Sequence, residues 1–202
     1  MQIQAILENI VNDNVLHSKW LNTLSYMENA GAKKISASEH KEQVNLIILK
    51  HAAEEHRHAY YLKKQLDKLD GDLCKTYTND ELLTPNHTKF YLNALDVAVC
   101  RYLKEEFDLI GCELKFAAYL FVTYAIEVRA DELYPVYQDV LTKAGSKVNV
   151  KSIILEEEGH LEEMINQLQT FSADWEKHAD VVVKMEQNMF ADWIQNLGKQ
   201  VS

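Results

Sequence analysis

Apolar residues recur three and four positions apart along nearly the whole chain, the period of a helix with one face turned to a core. The pattern breaks where caps and turns belong, and these breaks divide the chain into six expected helices. The first is expected from about Gln2 to Lys34. The second starts at the capping-box pattern Ser36-Ala-Ser-Glu39 and runs until Gly71. A polar stretch with Gly71, Asn79 and Pro85 follows. Helices are then expected from about Thr88 to Phe107 and from Glu113 to Gly145, the latter kinked at Pro135. Asn149 is read as the cap of a helix over 150–170, and Ser172 as the cap of a last helix carrying Trp175 and Trp193. No low-complexity tract or linker interrupts the series, so residues 1–202 are read as a single domain.

Composition agrees with an all-α chain. Two prolines and six glycines are too few to punctuate many strands, and 47% hydrophobic content is enough for a packed core. Four of the six segments suit a bundle core. The 88–107 helix would lie in a crossover between core helices two and three, as is needed if those two run parallel, and the last helix is extra. A net charge of −10 speaks against affinity won by neutralising phosphates, so nucleic acid is not the expected partner. The opening MQIQAILENI lacks the basic start and apolar core of an export signal. The uncharged run FAAYLFVTYAI, at 116–126, is about half of the roughly 20 residues a membrane span needs, and reads as a buried helix. Cys74, Cys100 and Cys112 are odd in number and form no C-x-x-C pair, which fits reduced thiols in a cytoplasm.

The chemistry lies on the apolar stripes. In the second expected helix Val44, Ile48, His51, Glu55, His58, Leu62, Leu66 and Leu69 share one face, so Glu55 and His58 stand among core leucines. The stripe Val150, Ile153, Glu157, His160, Met164 and Leu168 repeats the pattern. A buried, unpaired carboxylate costs several kcal/mol and must be neutralised by a proton, an ion pair or a metal. Each Glu-x-x-His is preceded by a helix with a glutamate on its apolar face. Glu28 follows His17, Trp20, Leu21 and Leu24, while Glu127 follows Phe116, Leu120, Thr123 and Tyr124. Four carboxylates and two imidazoles converging in a dry bundle are a ligand set for two adjacent first-row metal ions. The competing reading is a buried polar network without metal. Four carboxylates against two histidines then leave surplus negative charge. Glu132 is a weaker substitute for Glu127, being off the stripe and near Pro135, and His51 and His17 are read as hydrogen-bonded core histidines. Gly159, inside the second Glu-x-x-His, is read as room for close helix packing near the metals or for a ligand.

Through Glu28, Glu55-x-x-His58, Glu127 and Glu157-x-x-His160 the chain resembles the ferritin-like di-iron carboxylate superfamily over about residues 10–170. The resemblance implies a ferritin-like four-helix bundle in which those six residues bind two iron ions, or manganese, or one of each. Glu54 and Glu156 each precede a ligand glutamate, similar to the Asp-Glu-x-x-His arrangement of bacterial di-iron monooxygenases. By that likeness Glu54 would hold His160 and Glu156 would hold His58, with glutamate standing where those enzymes have aspartate. Thr123 and Tyr124 are further candidates beside Glu127.

The function implied first is an oxidase or oxygenase that uses dioxygen on a small organic substrate and takes electrons from an external donor. Iron handling in the manner of ferritin, peroxide reduction in the manner of rubrerythrin and tRNA hydroxylation are the alternatives. The long connection between Glu55 and Glu127 and the extra C-terminal helix argue against a closed cage, and a homodimer is one assembly compatible with the chain.

Overall fold

The computed structural model describes residues 3–69 and 73–202, and no strand occurs among them. The N-terminal apolar pattern forms two helices where one was expected: α1 (Ile3–Val11) and α2 (Asn14–Ser38). The break is chemical. Asp13 is extended and its Oδ1 accepts from the amides of Val15 and Leu16, at 2.8 and 2.9 Å, satisfying donors that a new helix leaves open.

The capping-box reading at Ser36 is also corrected, since α2 continues through it to Ser38. The next helix, α3 (Leu46–Gln65), starts after Asn45, whose Oδ1 accepts from the amides of Ile47 and Ile48 at 3.0 and 3.3 Å. His40 Nδ1 accepts from the amides of Glu42 and Gln43 in the intervening turn. Val44 therefore lies outside the helix and is exposed, although periodicity had put it on the core stripe. A 3₁₀ turn, Leu66–Lys68, follows α3, and the expected end at Gly71 lies outside the described residues.

The helix α4 (Pro85–Phe107) begins three residues before the expected Thr88, with proline at its first turn where a missing N–H costs nothing. The long α5 (Gly111–Lys143) passes through Pro135 without interruption. It ends where Gly145, at φ +62°, lets the Ser146 amide reach back to Leu141 O at 3.0 Å, a turn that favours glycine. Asn149 does not cap α6 (Lys151–Phe171); its carbonyl and side chain instead accept from Tyr61 Oη at 3.1 and 2.9 Å. Ser172 Oγ receives the Asp174 amide at 3.2 Å, and α7 (Trp175–Gln200) starts one residue later.

Two helix pairs dominate the packing, α2 with α3 and α5 with α6, while α4 lies against α5 and α7. The α7 stripe belongs to the core. Trp193 stacks on Tyr91 and Trp20, with ring centroids 5.9 and 5.8 Å apart, and its indole N–H donates to Thr88 Oγ1 at 2.9 Å. Much of the 116–126 run is buried, and no single described helix is long and apolar enough to cross a membrane. The three cysteines are free thiols.

The bundle's N-terminal end buries His17, whose Nε2 lies 2.7 Å from Tyr137 Oη. Burial pushes its pKa down from 6.5 to about 4. The unfolded chain thus takes up this proton near pH 6.5, and the folded chain only near 4. Stability is complete above the upper value and is lost as the pH falls between the two. In denaturant titrations, the native chain is expected to lose about 2 kcal/mol more than His17→Gln between pH 7 and pH 5. Equal losses would remove His17 as the source.

Candidate metal centre

Helical spacing delivers the site. Along α3 the buried positions Ile48, His51, Glu55, His58 and Leu62 form one stripe, and along α6 Ile153, Glu157, His160, Met164 and Leu168 form another. Glu127 is buried on α5, whereas Glu28 on α2 is half-buried because it opens on an internal cavity. All six residues expected to be ligands meet in one cluster between α2, α3, α5 and α6. Glu132 does not join them; it pairs with Arg129 at the surface.

His51, Glu55, Glu127 and His160 form a buried group that could hold a metal ion, and Glu28, Glu55 and His58 form a second, adjoining one. Glu55 belongs to both. The place of His51 in the first group goes beyond the core role expected of it. Its Nε2 lies 2.9 Å from Glu127 Oε1 and 3.3 Å from Glu55 Oε1, while Nδ1 faces Tyr119 Oη at 3.3 Å. The signal was present in the sequence, since His51 stands one turn before Glu55 on the same stripe.

The two remaining imidazoles are held from outside the cluster. His58 Nε2 is 2.7 Å from Glu156 Oε2, and His160 Nε2 is 2.9 Å from Glu54 Oε2. Each contact crosses between helices, α3 reaching the α6 histidine and α6 reaching the α3 histidine. Arg57 grips Glu156 through two 2.8 Å bonds and approaches Glu54 at 3.7 Å, so the outer carboxylates are themselves anchored. An ionised carboxylate only accepts, so both Nε2 atoms are donors and both Nδ1 atoms face inward.

Inward they meet acceptors. His58 Nδ1 lies 3.1 Å from Glu157 Oε1 and 3.7 Å from Glu55 Oε2, and it has no partner in hydrogen-bonding geometry. Glu55 Oε1 is likewise buried without a partner. His160 Nδ1 faces Glu157 Oε2 at 3.3 Å, Glu55 Oε1 at 3.4 Å and Glu127 Oε1 at 3.7 Å. Lone pairs aimed at one another across such distances need a proton or a cation between them.

With protons alone, the balance is uneven. Burial and the charges of Glu55 and Glu157 hold the Glu28 carboxyl well above its usual range, and burial together with Glu127 lifts Glu157 to about 8. Burial also opposes ionisation of Glu55 and Glu127, yet the surrounding imidazoles keep Glu55 well below its ordinary value, and bonds from Glu157, His160 and His51 bring Glu127 to about 2. Burial would lower the three imidazoles, but the facing carboxylates outweigh it and raise His51 to about 9, His160 to about 11 and His58 to about 12. Protons thus sit where oxygen and nitrogen donors converge, and the donor set fits first-row cations that would replace them.

Tyr134 is a member that the sequence reading missed. Its hydroxyl donates to Glu28 Oε1 from a buried position two turns beyond Glu127 on α5. Thr123 lines the cavity together with Glu127. Tyr124 is not brought to the cluster; its ring meets Trp175 edge-on at 5.9 Å.

Gly159 faces solvent, and a Cβ there would meet nothing within 4 Å, so it provides room neither for a helix contact nor for a ligand. Gly159→Ala is therefore expected to stabilise the protein by about 1 kcal/mol, raising Tm by about 2–4 °C in calorimetry with metal content unchanged. A lower Tm would show that the glycine serves packing after all.

Compared with family models, with curated proteins and with solved structures, the chain matches none.

Proposed function

We propose that the chain is a ferritin-like oxidase or oxygenase holding two iron ions, with manganese able to replace either, and that it acts with dioxygen on a small organic molecule. One observation carries the reading most directly. Two imidazoles are locked by outer glutamates so that their free nitrogens point at three buried carboxylates, Glu55, Glu127 and Glu157, with half-buried Glu28 adjoining them beside an apolar cavity. Ligands would be Glu28, Glu55, Glu127, Glu157, His58 and His160, with His51 beside them. The metal pair, when bound, supplies the redox equivalents and open positions that oxidation by dioxygen requires.

The chain's own groups do the rest. Glu54 and Glu156 keep His160 and His58 in the tautomer whose Nδ1 can bind a cation. Tyr134 Oη holds a proton against Glu28 Oε1 beside the cavity, orienting that carboxylate where a substrate's reacting end would lie. Apolar walls exclude water from the same place. An external electron donor is part of the proposal.

Anaerobic titration with ferrous ion, followed by dioxygen and a reductant, tests it. Uptake should stop at two irons per chain, and after that each further dioxygen consumed should require reductant and organic substrate. Continued uptake of many irons per chain, with dioxygen use tied to iron alone, would replace this reading with iron storage.

A further inference from the structure

A cavity of about 380 Å³ opens between α2, α4 and α5 and reaches all four cluster carboxylates. Its lining extends to Ser38 on α2 and Lys115 on α5. At the helical rise these lie about 15 Å from Glu28 and about 18 Å from Glu127. The space is thus long in the direction of the two helices. Its walls between the ends are apolar, formed by residues such as Ile35, Leu95, Ala118, Val122 and Ile126.

Charge at the two ends differs. The inner end has carboxylates. At the outer end Lys34 is neutralised by Asp96, while Lys115 is exposed and makes no ion pair or hydrogen bond among the described residues. Arg129, also in the lining, is fully engaged by Glu186 and Glu132. Among the described residues, Lys115 is thus the cation of the mouth without an ion-pair partner, on a chain whose net charge is −10.

Gly31 adds an independent observation. It lies in the interior of α2, one turn beyond Glu28, and it lines the cavity. A Cβ at this position would meet nothing within 4 Å, so no close helix contact requires glycine, although glycine costs a helix about 1 kcal/mol relative to alanine. The missing side chain leaves width in the cavity beside Glu28.

We propose that this cavity binds an elongated, apolar monocarboxylic acid. Its carboxylate lies at the mouth with Lys115, and its apolar end passes Gly31 to lie beside Glu28 and Tyr134. An amine would be repelled at the mouth, and a short polar acid would leave the apolar walls unfilled. That the inner end is the part oxidised rests on the function proposed above; the binding itself does not.

Calorimetric titration of octanoate, decanoate and dodecanoate, with the matching primary alcohols as neutral probes, tests the assignment on metal-free and metal-loaded protein. The expected result is one acid per chain in both forms, with the alcohol of equal length bound about two- to fivefold more weakly. Lys115→Glu should cost the acids about tenfold and leave the alcohols unchanged. Gly31→Leu should weaken acids and alcohols alike by more than about tenfold, with helicity and metal content as in the native chain.

Equal binding of acids and alcohols, or indifference to Lys115→Glu, would overturn the acid. Acid binding that disappears on metal removal would reverse the orientation and overturn the assignment, and native affinity in Gly31→Leu would place binding elsewhere. Should the acids bind as expected while no product forms with iron, dioxygen and reductant, the oxidase reading fails and this one stands.

Discussion

Glu55→Ala is expected to abolish stoichiometric metal binding, with plasma mass spectrometry finding fewer than one ion per chain where the native protein, reconstituted with ferrous ion, holds two. Glu55 is the residue shared by the two adjoining groups, so its loss removes an oxygen donor from each. It also leaves His51 and His58 without the carboxylate nearest them on their own helix, at 3.3 and 3.7 Å. Glu54→Gln and Glu156→Gln provide the comparison. Each retains a hydrogen-bond acceptor for its imidazole but loses the charge, and affinity should fall about 10- to 100-fold, not vanish. Circular dichroism separates these losses from unfolding. A Glu55→Ala protein that still held two ions would show that the cluster is not the metal site.

Adding ferrous or manganous ion should raise Tm steeply, and more so as the pH increases. Binding to the folded chain at about a thousand times Kd contributes about 4 kcal/mol, which for a chain of this size corresponds to about 8–16 °C. The pH dependence follows from where the protons sit. Glu28 and Glu157 are shifted upward by burial and by neighbouring charges, and His58 and His160 upward by facing carboxylates, so each gives up a proton when a cation arrives. Raising the pH removes protons that compete with the metal. Affinity must therefore rise with pH, about tenfold per unit for each proton released. Calorimetry in buffers of different ionisation enthalpy counts those protons directly. A metal affinity independent of pH from 6 to 8 would contradict this protonation pattern.

The elements that could be read from the chain are those whose information is local. Glu55 with His58, and Glu157 with His160, stood on stripes of core residues, and the described structure buries both stripes along α3 and α6. Boundaries were less legible. Asn12-Asp13 ends one helix and caps the next inside a continuous apolar pattern, and Ser36 to Glu39 has the residues of a helix start while lying at a helix end. In both places a polar side chain can serve either role, so the local residues do not say whether a helix starts or ends there. His51 was legible by position but not by role, and Tyr134 was missed. Both lie on stripes that point inward, yet the acceptors they meet, Glu127 and Glu28, belong to other helices.

Periodicity states which face of a helix avoids water. From it came the all-helical character of the chain and the inward direction of its glutamates and histidines. Tertiary structure alone settled which stripes meet, that His51 joins Glu127, and that Gly31 borders open space while Gly159 borders solvent. The reason is geometric: a repeat of three and four residues orients a side chain about its own helix axis, whereas distances across the bundle depend on how the axes pack.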